Sequence, residues 1–140
     1  MKSQSAQTLQ ILRQFNEAFM RHDGSMLEHL IGDDCVMESV EPAPDGTRYA
    51  GRDACLTFWQ KLANSRDGAF TAEDIIGIED RGIILWRYHF GPALSQSVRG
   101  VNVMRVRDGL IVEALGYVKT GEAPVKNAVR GATSESETTP

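Results

Sequence analysis

With 140 residues, 41% hydrophobic and 24% charged, the chain is sized for a single globular domain with its own core. A formal net charge of −4 argues against a nucleic-acid or anionic-membrane partner, since either would favour a basic patch; no apolar run reaches membrane-spanning length. Cys35 and Cys55 read as two reduced thiols, and the polar start Met1-Lys2-Ser3-Gln4 lacks the apolar core of a secretory signal, so the expected location is cytoplasmic.

Residues 5–22 read as a helix, with Leu9, Leu12, Phe15 and Phe19 at helical spacing and a stop near His22-Asp23-Gly24. Ser25 or Asp23 can cap a short second helix over Met26–Ile31, ended by Gly32. Cys35–Val40 reads as a strand and Glu41–Gly46 as a turn-rich loop, with a short extended return over Thr47–Ala50. A third helix is expected over about 53–64, with Leu56, Trp59 and Leu62 on its apolar face. Four strands follow: Phe70–Glu79, Ile83–Phe90, Ser97–Val106 and Leu110–Thr120. Residues 1–120 form the expected domain, and the Ser-, Thr- and Glu-rich stretch 121–140 reads as a mobile tail.

The last two strands form a hairpin. Asp108-Gly109 marks its turn, and a three-residue loop, Arg107-Asp108-Gly109, would pair Val106 with Leu110 and Asn102 with Ala114. One face then carries Gly100, Asn102, Met104, Val112, Ala114, Gly116 and Val118: apolar, low in volume and bearing one neutral polar group. Close-packed interiors do not leave such space unfilled; a helix lying close would fill it, and so would a ligand cavity. Val101, Val103, Leu115 and Tyr117 make the opposite face apolar too. A sheet wet on one side would alternate cleanly, so both faces expect cover. The helices can supply one cover, and a second copy of the chain, making a homodimer, is the economical source of the other.

Phe15–Asp23, Asp33–Ser39, Gly46–Ala54 and Arg99–Lys119 together resemble the SnoaL-like branch of the nuclear transport factor 2-like superfamily. The resemblance spans roughly residues 8–120. It implies an α+β cone: a strongly curved mixed β-sheet packed on three N-terminal helices and enclosing an apolar pocket, with dimers formed through the outer sheet face. The superfamily holds isomerases, cyclases, epoxide hydrolases, dehydratases and members that only bind or dock, so the fold does not fix the function.

Asn102 stands where the similar ketosteroid isomerases carry an Asp that donates to a developing oxyanion; an amide donates without a shifted pKa, and the alternative is a buried Asn satisfying nearby backbone. Ser39 falls at the place of their general base and cannot take a proton at neutral pH without a base beside it, while Phe15 lacks the hydroxyl of their tyrosine. Isomerase chemistry of that kind is excluded. Glu38 matches an Asn that helps hold water in the similar epoxide hydrolases, and is either a cavity acid/base or a solvent-facing partner of Arg48 or Arg52. Arg87 and His89 share one strand face; His89 is the acid/base candidate and Arg87 a holder of charge. The epoxide-opening carboxylate pair is missing, since His89 and Gly116 stand in its places. Trp86, Tyr88 and Phe90 form the other face of that strand, and which face lines the pocket stays open.

Candidate catalytic residues are therefore Glu38, His89 and Asn102, and candidate substrate-binding residues Phe15, Phe19, Trp59, Arg87, Met104 and Gly116. His22 and His29 have no metal-ligand spacing, and no cofactor is implied. The ligand class is a small, largely apolar, oxygen-bearing molecule. It is either turned over by cofactor-independent acid/base chemistry or bound without turnover in a ligand-binding or docking module.

Overall fold

The computed structural model describes residues 3–119; the tail expected over 121–140 lies outside the described residues. Its elements are α1 (Gln4–Met20), β1 (Ile31–Glu38), β2 (Arg48–Ala50), α2 (Arg52–Asn64), β3 (Ala69–Ile78), β4 (Arg81–Phe90), β5 (Gln96–Arg107) and β6 (Leu110–Val118). The strands form one curved, mixed, six-stranded sheet in the order β2-β1-β6-β5-β4-β3. Only β1 and β6 run parallel, so the last strand enters between the first strand and the rest. This is the expected α+β arrangement, with two helices rather than three.

The missing helix has a physical cause. Asp23 caps Gly24–Leu27, with its side chain accepting from the Ser25 N–H, but the segment makes only a 3-10 turn. Leu27 and Leu30 are drawn into the core, and Ile31 is already paired with Ile111. Sheet pairing thus takes the residues a second helical turn would have needed.

α1 starts at Ser3, whose side chain accepts from the Ala6 N–H at 3.1 Å. It then lies directly on the sheet at a pair of facing glycines. Gly77 and Gly82 are register partners on β3 and β4. A Cβ on Gly77 would come within 2.9 Å of the Ser5 carbonyl oxygen and the Leu9 nitrogen, and one on Gly82 within 2.2 Å of Leu12 Cδ2. The helix is pinned at the same place: Ser5 Oγ accepts from the Glu79 N–H at 2.8 Å and Thr8 Oγ1 donates to the Glu79 carbonyl at 2.6 Å. Leu12, Phe15 and Phe19 are thereby buried against the inner face.

The hairpin turn is shorter than expected. Asp108 and Gly109 alone form it, both with positive φ (54° and 78°), and Arg107 pairs with Leu110. A bulge beyond Arg105 then shifts the ladder, so Asn102 faces Gly116 instead of Ala114. A two-residue shift leaves side chains on their faces, so Asn102, Ala114, Gly116 and Val118 remain together on the inner face. Inside the bulge the alternation changes: Ile111 takes the fully buried place expected for Val112.

Cys35 on β1 and Cys55 on α2 are both fully buried free thiols, and the Cys55 thiol donates to the carbonyls of Cys35 and Tyr49. Burial pushes both thiols up, and Cys55 beside Cys35 pushes that one further. Fully buried, neither thiol is open to attack an electrophile in the native fold. In native protein, Ellman's reagent should release almost no product over the minutes in which free glutathione reacts fully, and two equivalents should appear on unfolding in guanidinium. Prompt reaction of one thiol in the native state would contradict this assignment.

Candidate functional site

Between α1, α2 and the concave face of the sheet lies a cavity of about 660 Å³, within the range of small-molecule sites. Its wall is aromatic. Trp59 of α2 meets Phe15 edge-on at 5.0 Å, Phe15 meets Phe19 at 5.0 Å, and Phe19 meets Phe70 of β3 at 5.6 Å. Phe70 in turn touches Trp86 (5.5 Å) and Tyr88 (4.5 Å) of β4. These ring contacts run unbroken from the helices to the sheet and hold the wall in one shape.

Absent side chains set that shape further. A Cβ on Gly100 would lie 2.3 Å from Cζ2 and Cη2 of Trp86, so the indole occupies the space over this glycine. The low-volume strip of the hairpin is therefore filled partly by Trp86, while Asn102, Ala114 and Gly116 border the cavity. Tyr88 uses Gly68 in the same way, its hydroxyl lying 2.1 Å from where a Cβ would be. Burial, aided by the charges of Asp67 and Glu41, pushes the Tyr88 phenol up, so it stays a neutral hydroxyl.

Asn102 brings an amide to the sheet wall. Trp86 Nε1–H donates to its Oδ1 at 3.1 Å. A second amide comes from α1: Asn16 borders the cavity, nearly buried, and its Nδ2 lies 3.1 Å from Met20 Sδ. Asn16 was not singled out from the sequence. The available signal was a polar residue at a stripe position, since 12, 15, 16 and 19 share one helix face.

Phe15, Phe19, Trp59, Asn102 and Gly116 all border the cavity. Met104 does not: it is fully buried beneath the wall, as core. Glu38 sits at the rim with its carboxylate half-exposed and 4.0 Å from Arg48 Nη1, the solvent-facing alternative of the two considered. Ser39 is structural: its Oγ donates to the Glu41 carbonyl at 2.9 Å and accepts from the Thr47 N–H at 3.2 Å, tying down the β1–β2 loop.

Arg87 and His89 require correction. Trp86, Tyr88 and Phe90 take the inner face of β4, and strand alternation sends Arg87 and His89 outward. There Arg87 pairs with Glu73 at 3.4 Å and donates to Ser97 Oγ at 2.9 Å, while His89 Nε2 lies 3.1 Å from Thr71 Oγ1. The Arg99 guanidinium, hydrogen-bonded to Glu73 and joined by Arg87, holds that carboxyl below its ordinary range. The expected acid/base group and charge holder are thus on the opposite side of the sheet from Asn102. Among the described residues no group of three His, Cys, Asp or Glu side chains is placed to hold a metal ion, and no helix is long and apolar enough to cross a membrane.

Residues 12–114 match the model of the SnoaL-like domain. The chain belongs to the SnoaL-like family. Similar solved structures agree with this. An NTF2-like protein of unknown function from Mesorhizobium loti is 48% identical, with 86% of this chain and 97% of that one covered and a TM-score of 0.79. A candidate ketosteroid isomerase from Kribbella flavida (18% identity, 87% and 84% covered, TM-score 0.73) shares the fold. So does an epoxide hydrolase from M. tuberculosis (19% identity, 94% and 91% covered, TM-score 0.68). No curated protein sequence matches this one. At such identities the two enzyme-named structures carry the fold alone to this SnoaL-like chain.

Proposed function

We propose that this SnoaL-like protein binds a small, largely apolar, oxygen-bearing molecule in the aromatic cavity, with Asn102 orienting the ligand's oxygen. One observation carries the reading: a cavity of about 660 Å³ walled by rings presents an amide at its sheet wall. Such a site gains most from burying apolar ligand surface and uses its few polar groups for orientation.

Binding without turnover is favoured over acid/base catalysis. His89 and Asn102 lie on opposite faces of the sheet, and Glu38 is a rim carboxylate beside Arg48. The cyclase, isomerase and hydrolase chemistries of the superfamily each need a proton-moving group held against the substrate; His89 lies outside the cavity, and Glu38, which borders it at the rim, is paired with Arg48.

The test is a titration with uncharged hydrophobic ketones, lactones and epoxides. Trp59 and Trp86, the chain's two tryptophans, both border the cavity, so binding is read in intrinsic fluorescence. Saturable quenching in the micromolar range is expected, and Asn102→Ala should weaken it about three- to tenfold, the effect of one hydrogen bond, without lowering the melting temperature much. No saturable response to any of the three classes would remove the proposal, and consumption of a ligand during the titration would restore the catalytic reading.

The outer sheet face supports a second proposal, that two copies pair through it. Ile76, Ile83, Val103 and Leu115 are successive register partners on β3, β4, β5 and β6. They make an apolar row across the convex side, and the next row holds Leu85, Val101 and Tyr117, with Asp74 at its β3 end and Tyr117 and Leu85 exposed. Charged rows bound the patch: Arg87, Arg99 and Glu73 at one end, Arg81, Arg105 and Glu113 at the other. An apolar centre with a polar rim is the anatomy of a stable interface.

A further inference from the structure

We infer that Trp86 is a positioning residue that fixes Asn102 as a hydrogen-bond donor toward the cavity, so that the site selects ligands whose oxygen accepts but carries no proton: ketones, lactones and ethers over alcohols and amines. The inference rests on the cavity being a ligand site, as proposed above, and adds the chemical group that is read there.

An indole N–H can only donate. It lies 3.1 Å from the Asn102 amide, so the atom facing it is the oxygen; the reverse orientation would set N–H against N–H. Turning the amide over is therefore opposed by a lost bond and a repulsive contact. Packing holds the indole in place: its six-membered ring lies over Gly100, and Phe70 meets it edge-on at 5.5 Å. On the other side, Asn102 Oδ1 lies beside Gly116, where no side chain intervenes, so the Trp86 N–H is what fixes the amide's orientation. The remaining polar atom is Nδ2. It has no protein partner among the described residues and is not sealed in the interior. Asn102 borders the cavity, so its free N–H donors are what a ligand meets on this wall.

A ketone oxygen accepts from Nδ2 and is then complete. An alcohol oxygen can accept as well, but its own O–H then needs an acceptor too: Trp86 occupies one lone pair of the Asn102 oxygen, and Asn16 on α1 and Glu38 at the rim border the cavity from other elements. A buried donor without a partner costs more than the bond it makes returns. The device thus discriminates by chemistry that neither residue supplies alone.

Calorimetric titration with 2-acetylnaphthalene and 1-(2-naphthyl)ethanol, matched in shape, tests the proposal. Wild-type protein should prefer the ketone about three- to tenfold, the worth of one hydrogen-bond mismatch. In Trp86→Phe the amide is free to turn and both probes should still bind, but with a ratio near one. If that variant fails to fold, site-specific replacement of Trp86 by benzothienylalanine keeps the bicyclic ring and puts sulfur in place of N–H; the same collapse of the ratio is expected. Asn102→Leu should likewise give a ratio near one, and should move the Trp86 indole proton resonance upfield in the ligand-free protein as its hydrogen bond is lost. An alcohol bound as tightly as the ketone by wild type, or a ratio kept without the indole N–H, overturns the inference while leaving the cavity as a binding site. Failure of both probes to bind wild type overturns the binding proposal with it.

Discussion

Gly100→Ala should lower the melting temperature by roughly 10 °C, a loss of about 3 kcal/mol at the upper end of overpacking effects. The added methyl would sit 2.3 Å from two indole carbons of Trp86 and 2.5 Å from the Tyr117 carbonyl oxygen. The ring could swing aside, but the carbonyl belongs to the paired strand and cannot move without opening the ladder. Displacing the indole also breaks its hydrogen bond to Asn102 and its edge contact with Phe70, so the near-ultraviolet dichroism of the aromatic wall should weaken as well. Gly109→Ala is the control. Gly109 has φ +78° but nothing within 4 Å of a Cβ, so only backbone strain of about 1 kcal/mol is at stake there. Thermal unfolding of the two variants separates the cases; a Gly100→Ala midpoint within 2 °C of wild type would show that the wall yields.

On the proposed pairing of two copies through the outer face, Val103→Asp should leave a folded monomer. Val103 sits mid-row on the outer face, paired with Ile83 on one side and Leu115 on the other, while its chain neighbour Met104 is fully buried on the inner face. A carboxylate there leaves the domain's own core untouched. In a dimer it would be desolvated among apolar side chains without a partner, which weakens association by about 100-fold or more. Sedimentation velocity at tens of micromolar should show a dimer for wild type and a monomer for the variant, with matching far-ultraviolet dichroism. A wild-type monomer at that concentration, or a dimeric variant, would reject the outer face as the interface.

Long periodic segments were the parts of the fold most legible in the sequence. The stripe Leu12, Phe15, Phe19 gave α1, and the strand-favouring Val101, Val103 and Val106 gave β5; both elements lie within two residues of expectation. Short segments were not legible, because their state is decided elsewhere. Leu30 and Ile31 carry no local mark that Ile111 will claim them for the sheet. The hairpin register depended on a bulge next to Arg105 that no residue type announces, although its effect on Asn102 was mild because faces survive a shift of two.

The site was half legible for a similar reason. Phe15, Phe19, Trp59, Asn102 and Gly116 were placed by periodicity and likeness together. On β4 the two sources disagreed. The alternation of Trp86, Tyr88 and Phe90 described the inner face, while likeness to enzymes with polar groups at Arg87 and His89 did not. The choice was set by packing: Gly68 and Gly100 are vacant where Tyr88 and Trp86 need room. That complementarity couples residues distant in sequence, and it is visible only once the strands are paired.

The parallel pairing of β1 with β6 has a consequence for how the chain is made. Glu38 meets Leu115, and Ile31 meets Ile111, so the first strand finds one of its two neighbours only when the last strand has been synthesised. Until then β1 can pair only with the three-residue β2, and the apolar face of α1 lacks the β3–β4 floor it rests on. Assembly therefore depends on contacts of long sequence separation, which slow folding and leave sticky surface exposed meanwhile. On the ribosome, the N-terminal half must wait for β6 to emerge before its part of the sheet can close.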